Sequence, residues 1–196
     1  YENVSGSLIW RPGPMSQFRG CTLVTASTDI NEDGRLDLML TNDYGPWFQP
    51  NEALINTGLD DEGLPVFVDK GPENGLGVSV YGMGVTVGDI DGDMKRDYFV
   101  SSLGEDALLR QGSDGKWADV TAEWHAGTTS GDGERRTKWG LRFADLDNDG
   151  LVDVTFCAGT DGAPLGIQEP GLSSILQNTG MGRFRDVTYA SGFISP

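Results

Sequence analysis

The chain has 196 residues, which is enough for one domain or one block of repeats. Its 30 acidic residues outnumber 14 Lys and Arg residues, and the formal net charge of −16 argues against nucleic acid and anionic membrane surfaces as partners. No run of 18 apolar residues occurs, so direct insertion into a membrane is not expected.

The first predicted element is a short strand at residues 1–5, with the sequence YENVS. It matches the last strand pattern of the later repeat units, and we therefore interpret it as the fourth strand of a preceding unit. The alternative is an extended arm that belongs to no repeat unit. The predicted units span residues 1–6, which hold only that strand, and then 20–71, 80–122 and 137–189.

Each complete unit contains four short strand patterns and no helical periodicity. The apolar run in the second strand is too short for a helix and suits a strand that is buried on both faces. The predicted strands lie at 21–28, 38–40, 53–56 and 66–69, at 81–88, 98–100, 107–110 and 117–121, and at 137–144, 154–156, 174–177 and 184–188.

Four-stranded units that repeat along a chain predict an all-β protein built from β-propeller blades. Three complete units and one extra N-terminal strand are fewer than the ~4–8 blades of a typical closed ring. We therefore expect a segment of a larger or multi-chain propeller. Its expected partners are other protein chains or the missing blades of the same protein.

Three acidic loops stand between the first and second strands of the units, and their starts are 60 and 56 residues apart. Oxygen-bearing side chains occupy positions 1, 3, 5 and 9 of each loop. Loop one is 29–37 (DINEDGRLD), loop two is 89–97 (DIDGDMKRD) and loop three is 145–153 (DLDNDGLVD).

This spacing suits calcium, which takes about 6–8 oxygen ligands, and predicts up to three ions. Position 7 adds a backbone carbonyl to the four side chains. The predicted ligands are Asp29, Asn31, Asp33, Asp37 and the Arg35 carbonyl in loop one, Asp89, Asp91, Asp93, Asp97 and the Lys95 carbonyl in loop two, and Asp145, Asp147, Asp149, Asp153 and the Leu151 carbonyl in loop three.

Other ions and other loop types fit less well. An EF-hand needs Glu at position 12, where these loops have Leu40, Val100 and Phe156. Magnesium prefers fewer protein ligands, and zinc prefers the His and Cys that the loops lack. The alternative without an ion is a set of hydrated Asp-Gly hairpin turns.

Loop two departs from the other loops at position 6. Gly34 and Gly150 ease the turn there in loops one and three, whereas loop two has Met94, with Gly92 at position 4. A bulky residue avoids positive φ, so we expect loop two to be strained or wound differently.

The sequence resembles the FG-GAP/VCBS repeat family, whose calcium-binding propeller blades also occur in the heads of integrin α-subunits. The resemblance rests on residues 84–93 (GVTVGDIDGD) and 184–188 (FRDVT). Residues 41–46 (TNDYGP) and 54–58 (LINTG) resemble the version found in secreted proteins that carry an ASPIC/UnbV module. The resemblance implies calcium-stabilised blades, a secreted, periplasmic or cell-surface location, and an adhesive or scaffolding role.

The expected function is therefore a non-catalytic, protein-binding or scaffolding segment. His125 is the only histidine and no serine elbow is present, so a Ser-His-Asp hydrolase has little support. The alternative is a carbohydrate-binding or polysaccharide-lyase-associated propeller domain.

Aromatic residues in the long loops opposite the acidic loops are candidates for recognition. Trp47, Phe48, Trp124 and His125 either contact a partner or sugar or, as we favour, pack beneath their loops or between blades. The matched strand residues Tyr1, Trp117 and Phe184 are expected to form the core between units.

Two small sets of residues leave alternatives open. Arg135, Arg136 and Lys138 form a basic cluster that either docks an acidic neighbour or, as we favour, is a solvated loop. Cys21 and Cys157 are too few for a disulfide scaffold, and the sequence favours two small buried thiols over a pair.

Overall fold

The computed structural model of the protein describes residues 2–9, 19–127, 136–160 and 173–193. Strands dominate these residues, and one helical turn, α1 at Gly71–Asn74, lies in a long connection. Within this described part of the chain, no helix is both long and apolar enough to cross a membrane.

The N-terminal residues form a two-stranded hairpin. Strand β1 (Glu2–Val4) pairs antiparallel with β2 (Ser7–Ile9) through a turn in which Ser5 and Gly6 have positive φ. The short strand predicted near the N-terminus is therefore present. Its assignment to a preceding unit stays a prediction.

Three four-stranded antiparallel sheets follow, and in each of them the strands are neighbours in chain order. Sheet one contains β3 (Cys21–Thr28), β4 (Asp37–Asp43), β5 (Glu52–Leu59) and β6 (Pro65–Asp69). Sheet two contains β7 (Gly82–Gly88), β8 (Asp97–Ser102), β9 (Ala107–Gln111) and β10 (Trp117–Asp119). Sheet three contains β11 (Arg136–Ala144), β12 (Asp153–Thr160), β13 (Ser174–Asn178) and β14 (Phe184–Asp186). The predicted all-β fold with four strands per unit is confirmed.

Sheet two lies between the other two sheets and is buried on both faces. Successive side chains of a strand point to opposite faces. Tyr98 and Val100 of β8 therefore pack with Met39 of sheet one, while Phe99 packs with Val154 and Phe156 of sheet three. The prediction that the short apolar runs are buried on both faces is confirmed here, because every residue of β8 is buried.

Aromatic side chains fill the spaces between the sheets, as predicted for two of the three matched strand residues. Trp117 is buried and its ring lies edge-on to Tyr98, with 5.8 Å between the ring centroids. Phe184 is buried against Trp124, with centroids 6.0 Å apart. Tyr1 lies outside the described residues.

The first strands of the sheets run beside one another, β3 next to β7 and β7 next to β11. Gly84 of β7 permits the close approach of β7 to β11, because a Cβ there would lie 2.7 Å from the Trp139 carbonyl oxygen and 2.8 Å from Ser101 Oγ. The Ser101 hydroxyl donates to the Lys138 carbonyl at 2.8 Å and joins the two sheets.

The prediction of buried thiols is wrong. Cys21 and Cys157 are both free and exposed. Cys21 begins β3, an edge strand whose outward side chains are solvated. Cys157 follows buried Phe156 and so points to the other face of β12, beside Gly140, which has no side chain to cover it.

The prediction of a solvated basic cluster is wrong for Lys138. Its ammonium is buried and bonds to the Asp106 carboxylate at 2.8 and 2.9 Å and to the Gly104 carbonyl at 2.9 Å. Lys138 is on β11 and Asp106 precedes β9, so this ion pair ties sheet three to sheet two. Arg135 lies outside the described residues, and Arg136 begins β11.

Replacing Lys138 with Met should destabilise the fold strongly. The Asp106 carboxylate would stay buried without its cation, which typically costs about 3–5 kcal/mol. Lys70→Met is the matched control, because Lys70 pairs with Glu73 where both side chains are well exposed, and such pairs are worth less than about 1 kcal/mol. Urea unfolding of both variants measures the difference, and equal losses would contradict a structural role for the buried pair.

Candidate metal centres

The three acidic loops each join the first and second strands of one sheet, and they wind in the same way. The carboxylate at position 1 accepts hydrogen bonds from the backbone N–H groups of positions 5 and 6. In loop one, Asp29 accepts from Asp33 and Gly34 at 3.0 and 2.9 Å. In loop three, Asp145 accepts from Asp149 and Gly150 at 3.1 and 3.0 Å.

Loop two repeats these contacts despite its different sequence. Asp89 accepts from the N–H groups of Asp93 and Met94 at 3.1 and 2.7 Å. The carboxylate at position 5 accepts from the N–H of position 7 in every loop, for example from Lys95 to Asp93 at 3.0 Å. Side-chain oxygens at positions 1, 3 and 5 are thereby gathered around each turn.

Loop two is not wound differently, so that part of the expectation is wrong, whereas Met94 does hold a positive φ that is unfavourable for a bulky residue. Met94 adopts φ 64° and its side chain projects into solvent. Every loop has two residues with positive φ, at positions 4 and 6, and in each loop one of them is glycine. These pairs are Glu32 and Gly34, Gly92 and Met94, and Asn148 and Gly150. In this pattern of positive φ values, loop two therefore differs from the others only in which of the two positions has glycine.

The aspartate at position 9 is a buried structural anchor. Asp97 accepts from the N–H of Ile90 at 3.0 Å and from the N–H of Gln111 on β9 at 2.8 Å. Asp153 likewise accepts from Leu146 at 3.0 Å and from Asn178 at 2.8 Å. Asp37 accepts from Ile30 and Asn56 at 2.8 and 2.7 Å. One carboxylate thus ties its loop to the third strand of the same sheet.

Carboxylates converge in two of the three loops. Ligand oxygens of Asp89, Asp91 and Asp97 lie within 4.8 Å of one another, and so do those of Asp145, Asp147 and Asp149. Among the described residues, loop one holds no such trio, since it has Asn31 at position 3. The remaining predicted ligands are the backbone carbonyls at position 7, in Arg35, Lys95 and Leu151. The N–H groups of these residues donate to the position-5 carboxylates.

The donor set of these loops suits a hard divalent cation. All of the convergent atoms are oxygens, and carboxylates of like charge are held close together, which is unfavourable without a counter-ion. Burial raises the pKa of Asp97 to about 6, against the opposing effect of its two backbone hydrogen bonds. A buried site of this kind gains from a nearby positive charge.

Different side chains contact the carboxylates of the three loops. In loop one the Arg35 guanidinium contacts Asp33. In loop two the Lys95 ammonium lies 2.8 Å from Asp93, and its hydrogen bond lowers the pKa of that carboxyl. Arg110 of β9 also reaches loop two. In loop three the neutral Gln177 amide of β13 donates to Asp147 at 2.6 Å.

Sequence reasoning missed Arg110 and Gln177. The signal that could have found them is their place in the third strand, one residue before the residue whose N–H bonds to the position-9 aspartate. Ile55 holds that place in sheet one. The predicted third strands, 53–56 and 107–110, make Asn56 equivalent to Arg110. The strand register makes Ile55 the equivalent residue and so shifts the alignment of sheet one by one residue.

The aromatic candidates divide between surface and core. Trp47 and Phe48 are 73% and 71% exposed, so packing beneath their own loop is wrong for them, while packing against a further blade stays a prediction. Tyr44 lies edge-on to Phe48, with ring centroids 6.1 Å apart. Trp124 is buried in the core, and exposed His125 lines a cavity of about 590 Å³ with Glu105 and Asp119.

Asp153→Asn should lower stability even in the presence of a chelator. An amide would point an NH₂ group at a backbone N–H, and a buried donor left unsatisfied costs about 1–3 kcal/mol. Asp149→Asn is the control, because Asp149 is exposed and its remaining oxygen still accepts from Leu151. Denaturant unfolding in EDTA compares the two, and an unchanged midpoint for Asp153→Asn would refute the anchor role.

Comparison with known families matches the middle of the chain. Residues 89–156 match the family model of the FG-GAP-like repeat, from the first residue of loop two to the middle of β12. No curated protein matches the chain. The matched segment contains the two loops in which three carboxylates converge, and the match supports the FG-GAP repeat family as the source of this repeat.

Proposed function

We propose that this chain is a calcium-binding segment of an extracytoplasmic β-propeller, and that it acts as a non-catalytic protein-binding or scaffolding unit. The observation that carries the proposal is the convergence of three carboxylates in loops two and three. The match of residues 89–156 to the FG-GAP-like repeat supports the same function.

Calcium is the cation that suits the donor set best. Each loop offers side-chain oxygens from positions 1, 3 and 5, and the carbonyl of position 7 adds another. Bound there, the ion would neutralise the carboxylates and cross-link the turn. Because the position-9 anchor connects the same loop to the third strand, we expect that cross-link to stabilise most of the sheet.

The proposed extracytoplasmic location is inferred from the calcium affinity expected of these loops. Extracellular calcium modules work at about 10⁻⁴–10⁻³ M, a range in which exposed loops of modest affinity are filled. Asp145, Asp147 and Asp149 are all exposed, which favours affinities in that range over those of buried cytosolic buffers.

The proposed contact surface is the aromatic loop that contains Tyr44, Trp47 and Phe48. Exposed aromatic side chains often anchor interfaces. Further blades or other chains are the partners that suit a segment of three sheets. Carbohydrate is the second candidate partner, because the exposed Trp47 and Phe48 rings offer apolar faces to a sugar ring.

Calcium should raise the melting temperature, and EDTA should reverse the rise. A ligand that binds only the folded state at 100 times its Kd stabilises by about 2.7 kcal/mol per site, and for a domain of this size about 2–4 °C follows from each kcal/mol. Calorimetry at fixed protein concentration measures the shift, with magnesium as the comparison ion and elemental analysis as the count of bound calcium.

The control variant replaces loop carboxylates that are at least partly exposed with amides that still offer an oxygen to the backbone. The five changes are Asp33→Asn, Asp91→Asn, Asp93→Asn, Asp147→Asn and Asp149→Asn. This variant should fold and lose the response to calcium. A melting curve of the unchanged protein that calcium and EDTA leave unmoved would refute the proposed function.

Trp47→Ala should leave the melting temperature within about 2 °C of the unchanged protein, because substitutions at exposed sites usually stay within about 0.5 kcal/mol. Trp124→Ala is the matched control, and loss of a buried tryptophan should cost about 3–5 kcal/mol. A large loss of stability from Trp47→Ala would mean that this ring packs within its own sheet and is not a free contact surface.

A further inference from the structure

Arg110 projects from β9 onto the side chains of loop two. Its Nε donates to Asp91 Oδ2 at 2.5 Å, and its NH2 contacts Asp91 and lies 3.4 Å from Asp93. All three side chains are only partly exposed. Asp91 belongs to the convergent carboxylate trio of this loop, so the guanidinium contacts a carboxylate that a metal ion would use.

The other two sheets have uncharged residues in the place of Arg110. The strand register shows that Gln177 of β13 in sheet three is equivalent to Arg110 of β9. The Gln177 amide donates to Asp147 Oδ2 at 2.6 Å. In sheet one the equivalent residue is Ile55, which packs against the core. A strand-borne cation is therefore particular to loop two among these three loops.

We propose that Arg110 is a built-in counter-ion of loop two, which competes with the divalent cation for Asp91 and Asp93. This inference rests on the proposed function. Loop two then binds calcium more weakly than loop three, and sheet two depends less on calcium than sheet three does. The cation must displace the Arg110 contacts in loop two, whereas in loop three it displaces only a neutral amide.

The competition depends on the balance of charge around loop two. Loop two already has the Lys95 ammonium 2.8 Å from Asp93, so Arg110 adds a second positive charge to the same carboxylates. A group that binds the carboxylates in the metal-free state stabilises that state and lowers the apparent affinity of any competing cation. Loop three also has four aspartates, but the side chain that reaches it from the third strand is the uncharged Gln177.

A reciprocal exchange tests the proposal. Arg110→Gln gives loop two the residue of loop three, and Gln177→Arg gives loop three the residue of loop two. Each exchange is measured alone in its loop, by calcium titration calorimetry of the whole chain with the other loops disabled. The background for loop two has Asp33→Asn, Asp147→Asn and Asp149→Asn, and the background for loop three has Asp33→Asn, Asp91→Asn and Asp93→Asn.

Arg110→Gln should tighten calcium binding at loop two by about two- to fivefold, the scale of one partly exposed charge pair, and Gln177→Arg should weaken loop three by a similar factor. Lys70→Gln controls for net charge, because it removes one positive charge in sheet one from a pair with Glu73, and it should leave both affinities unchanged.

A chelator arm separates the two proposals. In EDTA, Arg110→Gln should lower the melting temperature and Gln177→Arg should raise it, and saturating calcium should shrink or reverse both differences. Unchanged affinities with calcium still bound would overturn the counter-ion role alone, whereas failure of every loop to bind calcium would overturn the proposed function as well. If Arg110→Gln does not fold, Gln177→Arg decides, because unweakened binding at loop three would be sufficient to reject the competition.

Discussion

The buried aspartate at position 9 is the constraint on which each sheet depends. Asp37, Asp97 and Asp153 all lie inside the protein, and each accepts one N–H from its own loop and one from the third strand. The second strand begins at this residue. A single carboxylate therefore fixes where the loop ends, where the second strand starts and how the third strand is aligned. No uncharged side chain of this size offers two such acceptors.

Two kinds of contact carry this order from sheet to sheet. Apolar side chains of β8 alternate between the core shared with sheet one and the core shared with sheet three. Buried polar contacts then set the alignment, since the Lys138 ammonium bonds to Asp106 and the Asn178 amide donates to the Ile90 carbonyl of loop two at 2.8 Å. Hydrogen bonds between buried polar groups depend on direction, whereas apolar packing does not.

The three loops share a backbone but differ in charge. Their turns share the hydrogen bonds from positions 5 and 6 to the position-1 carboxylate and the same pair of positive φ values, so their winding does not distinguish them. The side chains around them do, with Arg35 on loop one, Lys95 and Arg110 on loop two, and Gln177 on loop three. A repeat can thus keep one scaffold and vary the charge around its loop through a residue on the neighbouring strand.

The sequence by itself determined the all-β class, the four strands of each unit and the position of the acidic loops, because alternating apolar runs and Asp-Gly turns are local signals. Tertiary structure decided which residues meet across strands and sheets. It buried Lys138 beside Asp106, exposed Cys157 beside Gly140 and brought Arg110 to Asp91, about 20 residues earlier in the chain. It also allowed Met94 a positive φ, because the loop's hydrogen bonds to Asp89 outweigh the local preference of one exposed side chain.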